Sequence, residues 1–347
     1  LRMSSTGVIK ATEEELQLET ILLNGQTERW VYDNEDHTEY LFGTAMGRLW
    51  RLTRKDENTV EWTVIAREKN RDKENDEKDI NRYFQMDVKL EKLYAKWQKD
   101  DKNMVDYLKD KNVKGLRILH QDPFEGFFRY SILAAVMLPG RMPKIIKTLC
   151  MSFGKKLDVV EHQSDFSRIT MRHKDLPYSF PTLDDIDLKT IDDLFKKEKL
   201  ANVVPFIKNT VTALRKAGGE KALEGLTTKK APAARDFLMK LPEINEKMAN
   251  TILAARGFHS VIPVDGALLD LCRKKKYLTN LKSRDPVTGA NGRGKEIEAF
   301  FTKMFGDHAA WAMIVLHNAH KTLKRENATA DAEEPVAKTS DMRMWQS

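Results

Sequence analysis

Cysteine is the scarcest informative residue of this 347-residue chain, with only Cys150 and Cys272 present. Two distant thiols exclude a disulfide framework and a thiolate zinc site, and they fit a reducing, intracellular compartment. No run of 18 apolar residues occurs, so no membrane-spanning helix and no membrane partner are expected. The longest apolar stretch, GFFRYSILAAVMLPG (126–140), is interrupted by Arg129 and reads as a buried helix. Glycine and proline are few, as in an ordinary globular protein. No motif calls for a metal or a cofactor, and neither is expected. Leu rather than Met stands at position 1. That fits a trimmed chain, with an organellar presequence removed ahead of it as one reading. Mitochondrion and nucleus are the expected compartments, with mitochondrion favoured.

Charge, by contrast, is plentiful. Lys and Arg outnumber Asp and Glu by 59 to 52, giving a net +7 and a pI near 9.1. A balance of that sign suits a polyanionic partner, DNA or RNA. The excess gathers in RKKKYLTNLKSR (273–284), with Arg273, Lys274, Lys275 and Lys276, and in HKTLKR (320–325), with Lys321, Lys324 and Arg325. Either cluster also fits a solvated helix end. ENATADAEEPVAKTSD (326–341) is polar and reads as a tail or docking segment.

The pattern predicts an α+β protein. Residues 15–66 read as short strands rich in Thr, Val, Trp and Leu, separated by polar turns, and imply a small antiparallel sheet. The charged segment 67–79 reads as a loop or solvated helix start. From residue 80 onward apolar residues recur at helical spacing through nine or ten segments, several ending on a glycine suited to a left-handed cap: Gly154, Gly218, Gly257 and Gly306. The expected division is an extension over 1–14, a β-rich domain with a closing helix over 15–115, a helical domain over 116–325 and a polar tail over 326–347.

Eight landmarks follow in order: NGQTERW (24–30), RYFQMDVKLEKLY (82–94), GLRILHQDPFEGFF (115–128), LCMSFG (149–154), FPTL (180–183), LPEINEKMAN (241–250), IPVDGALLDLC (262–272) and FGDHAAWAMIVL (305–316). Together they resemble the eukaryotic 8-oxoguanine DNA glycosylases of the helix–hairpin–helix superfamily, from about residue 15 to 325. The resemblance implies a bifunctional enzyme that flips a damaged guanine from duplex DNA, cuts the glycosidic bond through a lysine Schiff base and then cleaves the strand.

On that resemblance Lys247 takes the place of the nucleophile and Asp265 that of the catalytic carboxylate. By residue type alone, Lys247 also fits a solvated helix start and Asp265 a helix N-cap. Gly25 stands where the family detects the extra N7 hydrogen, Thr251 at the base-stacking cysteine, Met313 at the base-reading glutamine and His317 at the stacking phenylalanine. The hairpin glycines that approach phosphate are replaced by Glu243 and Asn245, with Glu246 next. A carboxylate about 5 Å from a phosphate, at an effective dielectric near 20, is repelled by about 3 kcal/mol. Asn245, able to adopt a left-handed turn, is the remaining candidate for the hairpin contact. The asparagine turn that reads the opposite strand meets ILAAVMLPGRMPKI (132–145), where Arg141 is the nearest substitute, and the wedge segment meets KLANVVPF (199–206).

Two functions follow. In the favoured one, the glycosylase frame has lost catalysis and serves as a structural or nucleic-acid-binding subunit of a larger, organellar ribonucleoprotein assembly. In the other, Lys247 and Asp265 drive a divergent glycosylase/lyase. A protein-interaction scaffold differs from the first only in its partner, and the salt dependence of binding separates them.

Overall fold

The computed structural model describes residues 5–319, except 24, 36, 70, 111–112, 137–138, 161, 283–284 and 289–291. Its N-terminal part is an antiparallel sheet. The strands are β1 (Thr6–Lys10), β2 (Trp30–Glu35), β3 (Thr38–Ala45), β4 (Arg48–Asp56) and β5 (Thr59–Arg67), in the order β1-β5-β4-β3-β2. A two-residue strand, β6 (Asp158–Val159), joins the end of β5 from far along the chain. Two glycines on strands answer two indoles: Gly7 faces Trp62 and Gly43 faces Trp30 across the ladder. A Cβ at Gly43 would stand 2.1 Å from the Trp30 ring, so the missing side chain is what lets the indole lie flat on the sheet.

The expected antiparallel sheet is therefore present, with two corrections. β1 lies inside the stretch read as an extension. Leu18–Leu22, read as strand, is a helix (α1), because Leu18, Ile21 and Leu22 follow the i, i+3, i+4 spacing and all three are buried.

The helices that follow are α2 (Asp76–Tyr83), α3 (Leu90–Asp100), α4 (Lys102–Tyr107), α5 (Pro123–Val136), α6 (Met142–Phe153), α7 (Gln163–Arg172) and α8 (Ile191–Lys197). Then come α9 (Val204–Lys216), α10 (Gly219–Glu224), α11 (Ala231–Met239), α12 (Glu246–Ala255), α13 (Gly266–Lys274), α14 (Gly294–Phe305) and a last helix, α15, over 309–319. Gly218, Gly257 and Gly306 have the expected positive φ, but Gly154 does not, at φ −72°. Its glycine answers crowding instead: a Cβ there would stand 2.1 Å from the Ser179 carbonyl oxygen.

The sheet and the helices interlock. Asp76, in the segment read as solvated, is 1% exposed and binds Arg48 at 2.5 Å and Arg67 at 2.8 Å. Arg117 is fully buried. It donates to the carbonyl oxygens of Glu15, Phe84, Gln85 and Val88 and pairs with the Glu15 carboxylate at 2.7 Å. Asp33 on β2 pairs with Arg168 and Arg172 at the end of α7.

Two helical cores meet at α12. Its Ala249, Ile252 and Leu253 pack with α5, α6, α9 and α11, whereas Ala254 and Ala255 pack with α3, α13, α14 and α15. A helix held on two sides keeps its N-terminus in a fixed position, and Lys247 stands in that first turn.

Candidate active site and nucleic-acid interface

The hairpin between α11 and α12 is pinned by its apolar residues. Leu241 and Ile244 are buried, and the polar residues between and after them face outward. Glu243 takes the left-handed conformation, φ +62°, at a cost of about 1–2 kcal/mol for a residue with a Cβ. The expectation that Asn245 supplies the left-handed turn is thus corrected. Asn245 is extended and caps α12, its side chain accepting from the Met248 N–H at 3.0 Å. Glu246 does not project freely toward a ligand but lies 3.5 Å from Arg235, which also binds Glu298.

In the first turn of α12, Lys247 places its Nζ 2.8 Å from Asp265 Oδ2. Asp265 is the N-cap of α13, its Oδ1 accepting from the Leu268 N–H at 2.9 Å and lying 3.1 Å from His317 Nε2 on α15. Burial pushes this carboxyl's pKa upward, yet the bonds and charge of His317, the Lys247 ammonium and the Leu268 amide outweigh it. They hold the pKa well below the usual carboxylate range. Asp265 therefore caps a helix and faces the lysine at once.

Asp265 forms part of the wall of a cavity of about 350 Å³ that Gly25, Thr251 and His317 also line. Three of the four expected pocket residues thus converge beside the Lys247–Asp265 pair. The fourth does not. Met313 is 2% exposed and packs in the core around α3 and α14. Ala310, Ile314, His317 and Asn318 form the cavity face of α15, at i, i+4, i+7 and i+8, and Met313 falls on the neighbouring face. Thr251 has no donor left for a ligand, since its hydroxyl donates to the Lys247 carbonyl at 2.8 Å.

Gly25 sits at φ +86°, and its carbonyl oxygen accepts from the Arg129 guanidinium. Arg129 is held in turn by Glu28 at 2.9 Å and lies over the Tyr130 ring at 5.1 Å. The carbonyl at the expected reading position therefore already has a charged donor. Beside Gly25, Gln26 braces the segment by bonding the Arg117 carbonyl at 2.8 Å and the Leu119 N–H at 3.1 Å.

The remaining candidates for nucleic-acid contact scatter. Arg141, at the N-terminus of α6, is exposed and donates to Asn202 at 3.2 Å, so the segments at the expected strand-reading and wedge positions touch each other. Arg273 and Lys274 share Asp270, and Lys275 lies 5.3 Å from the Tyr107 ring centroid. Lys276 is exposed in a left-handed turn. These four close the C-terminal end of α13, about 13 Å along that helix from Asp265. Lys321, Lys324 and Arg325 lie outside the described residues.

Comparison with known proteins agrees with this geometry. The sequence model of the 8-oxoguanine DNA glycosylase N-terminal domain matches residues 8–127. An N-glycosylase/DNA lyase of Saccharomyces cerevisiae is 22% identical over 341 residues, covering 89% of this chain and 85% of the relative. Among solved structures, MBOgg1 in complex with a low-affinity DNA ligand superposes with a TM-score of 0.69 at 18% identity, covering 93% of this chain and 97% of that one. The apo form of the Clostridium acetobutylicum 8-oxoguanine glycosylase/lyase gives 0.65 at 19% identity, covering 90% and 95%. The chain matches the 8-oxoguanine DNA glycosylase N-terminal domain over about a third of its length and shares the fold of solved 8-oxoguanine glycosylases along nearly all of it.

The residue that the sequence least revealed is Arg129. It showed only as the one charge in an apolar run, and a buried arginine needs partners that the run could not name. Tyr130 and Asn318, which also line the cavity, gave no signal beyond helical periodicity.

Proposed function

We propose that this protein binds nucleic acid on a glycosylase frame whose cavity has given up 8-oxoguanine recognition. In this reading it serves as a binding subunit of a larger, RNA-containing organellar assembly rather than as a repair enzyme. The observation that carries it is the Arg129 guanidinium on the Gly25 carbonyl. A carbonyl satisfied by a buried cation has less to offer an N–H of a base, and a site built on hydrogen bonds loses discrimination steeply when its partners are spent. Thr251, with its hydroxyl turned to its own helix, and the burial of Met313 point the same way. The basic balance of the chain and its likeness to DNA-bound glycosylases support nucleic acid as the ligand.

Labelled duplexes with guanine or 8-oxoguanine opposite cytosine, and RNA of equal length, test this by anisotropy from about 50 to about 200 mM salt. The proposal expects affinities for the two duplexes within about threefold, both falling steeply with salt. A preference of about 100-fold for 8-oxoguanine would overturn it.

One observation favours the second reading, an active glycosylase/lyase: Lys247 Nζ stands 2.8 Å from Asp265 beside the cavity. Attack on a sugar C1′ needs the free amine, and Asp265 is the nearest acceptor for the departing proton and the counter-charge for the sugar. The same contact is also what an inert ion pair beside a capped helix would make, so the binding reading stands first.

A further inference from the structure

A groove of about 910 Å³ lies between the α1–β2 segment, α6, the end of α7 and α8. Its floor is apolar: Leu23, Val31, Met151 and Leu194 line it, and Leu23 and Met151 are 46% and 42% exposed, unusual for large apolar side chains in this protein. Its rim is cationic. Lys144, Lys147, Lys174 and Lys197 line it, and of these only Lys144 makes an ion pair among the described residues, with Glu198 at 3.3 Å. Of the groove's acids, Glu28 is held by Arg129 and Glu198 by Lys144, and Asp175 stands next to Lys174 in the chain. Three lysines therefore remain around an exposed apolar floor. Gly25 lines this groove and the 350 Å³ cavity alike, so the two adjoin.

We propose that this groove binds a single-stranded segment of nucleic acid, with bases laid on the Leu23–Met151 floor and phosphates on Lys147, Lys174 and Lys197. Unpaired bases present apolar faces that a duplex keeps stacked, and a cationic rim over an apolar floor matches a single strand better than a closed helix. Because Gly25 is shared, a strand lying here leads toward the cavity beside Lys247. The inference rests on the reading of the protein as a nucleic-acid binder and adds the strand's path to it.

The test compares a fluorescein-labelled single-stranded oligonucleotide with its blunt duplex. The variants are Lys147→Glu/Lys197→Glu, and Lys55→Glu/Lys92→Glu as an equal change of charge at exposed sites outside the groove. The groove pair is expected to weaken single-strand binding about tenfold or more and to reduce the salt slope by at least about 1, leaving duplex binding within about threefold of the control pair. Leu23→Ser, which leaves charge unchanged, is expected to weaken single-strand binding about threefold. Equal effects of the two charge pairs would overturn the groove as a site. So would single-strand binding indifferent to the groove pair while duplex binding persists. An unchanged Leu23→Ser would overturn the base-bearing floor. Wild-type protein that binds neither probe would instead overturn the nucleic-acid reading itself, and this inference with it.

Discussion

Asp265 does three things with one carboxylate: it caps α13, faces Lys247 and bonds His317. Its pKa is depressed in the folded state, so the stability it adds is present above the unfolded value of about 3.9 and is lost as pH falls through the folded value. Asp265→Ala should therefore cost about 1–2 kcal/mol near pH 6, a gap that narrows below about pH 4, as read from urea midpoints of the two proteins. Met313 gives a second residue-scale test. Placed in the core, Met313→Ala should cost about 2–4 kcal/mol in the same assay, whereas a residue facing the open cavity would cost little. Sequence grouped Gly25, Thr251 and His317, which line one cavity, because order along a shared frame carries position. It misplaced Met313 because one step along a helix turns a side chain by about 100°. It missed Arg129 because Gly25 and Glu28, its partners, lie about a hundred residues away along the chain.

At the scale of elements, the hairpin decides how the frame meets a ligand. The charges of Glu243 and Glu246 were legible in the sequence, but the answering Arg235 was not, since nothing local links it to Glu246. Glu243→Gly relieves the left-handed φ at some cost in chain entropy. It should stabilise the fold by about 0.5 kcal/mol and tighten duplex binding severalfold by removing a carboxylate, as measured by thermal unfolding and anisotropy. Unchanged binding would mean that the hairpin does not approach phosphate. Long periodic helices such as α5, α9 and α14 were readable because their apolar faces repeat over three turns. The short α1, α4 and α10, at five or six residues, span too few turns for periodicity to speak. The charged stretch holding Asp76 misled because a buried ion pair has the composition of a surface.

At the scale of the molecule, the described residues form one interlocked body in which buried arginines join sheet to helices. Arg117 satisfies four carbonyl oxygens and a carboxylate across that junction. Arg117→Met, similar in length but unable to donate, should destabilise by about 3–5 kcal/mol in denaturant unfolding, because buried acceptors are left unpaired. A frame fixed this firmly keeps Lys247 beside Asp265 whether or not chemistry is retained. Proximity of the pair is thus weaker evidence for activity than the occupied Gly25 carbonyl is against 8-oxoguanine reading. The decisive measurement is borohydride trapping on duplexes carrying 8-oxoguanine or an abasic site, with Lys247→Gln alongside. The account predicts no trapped adduct from folded protein that still binds the duplex, and an adduct that forms and disappears in Lys247→Gln would contradict it.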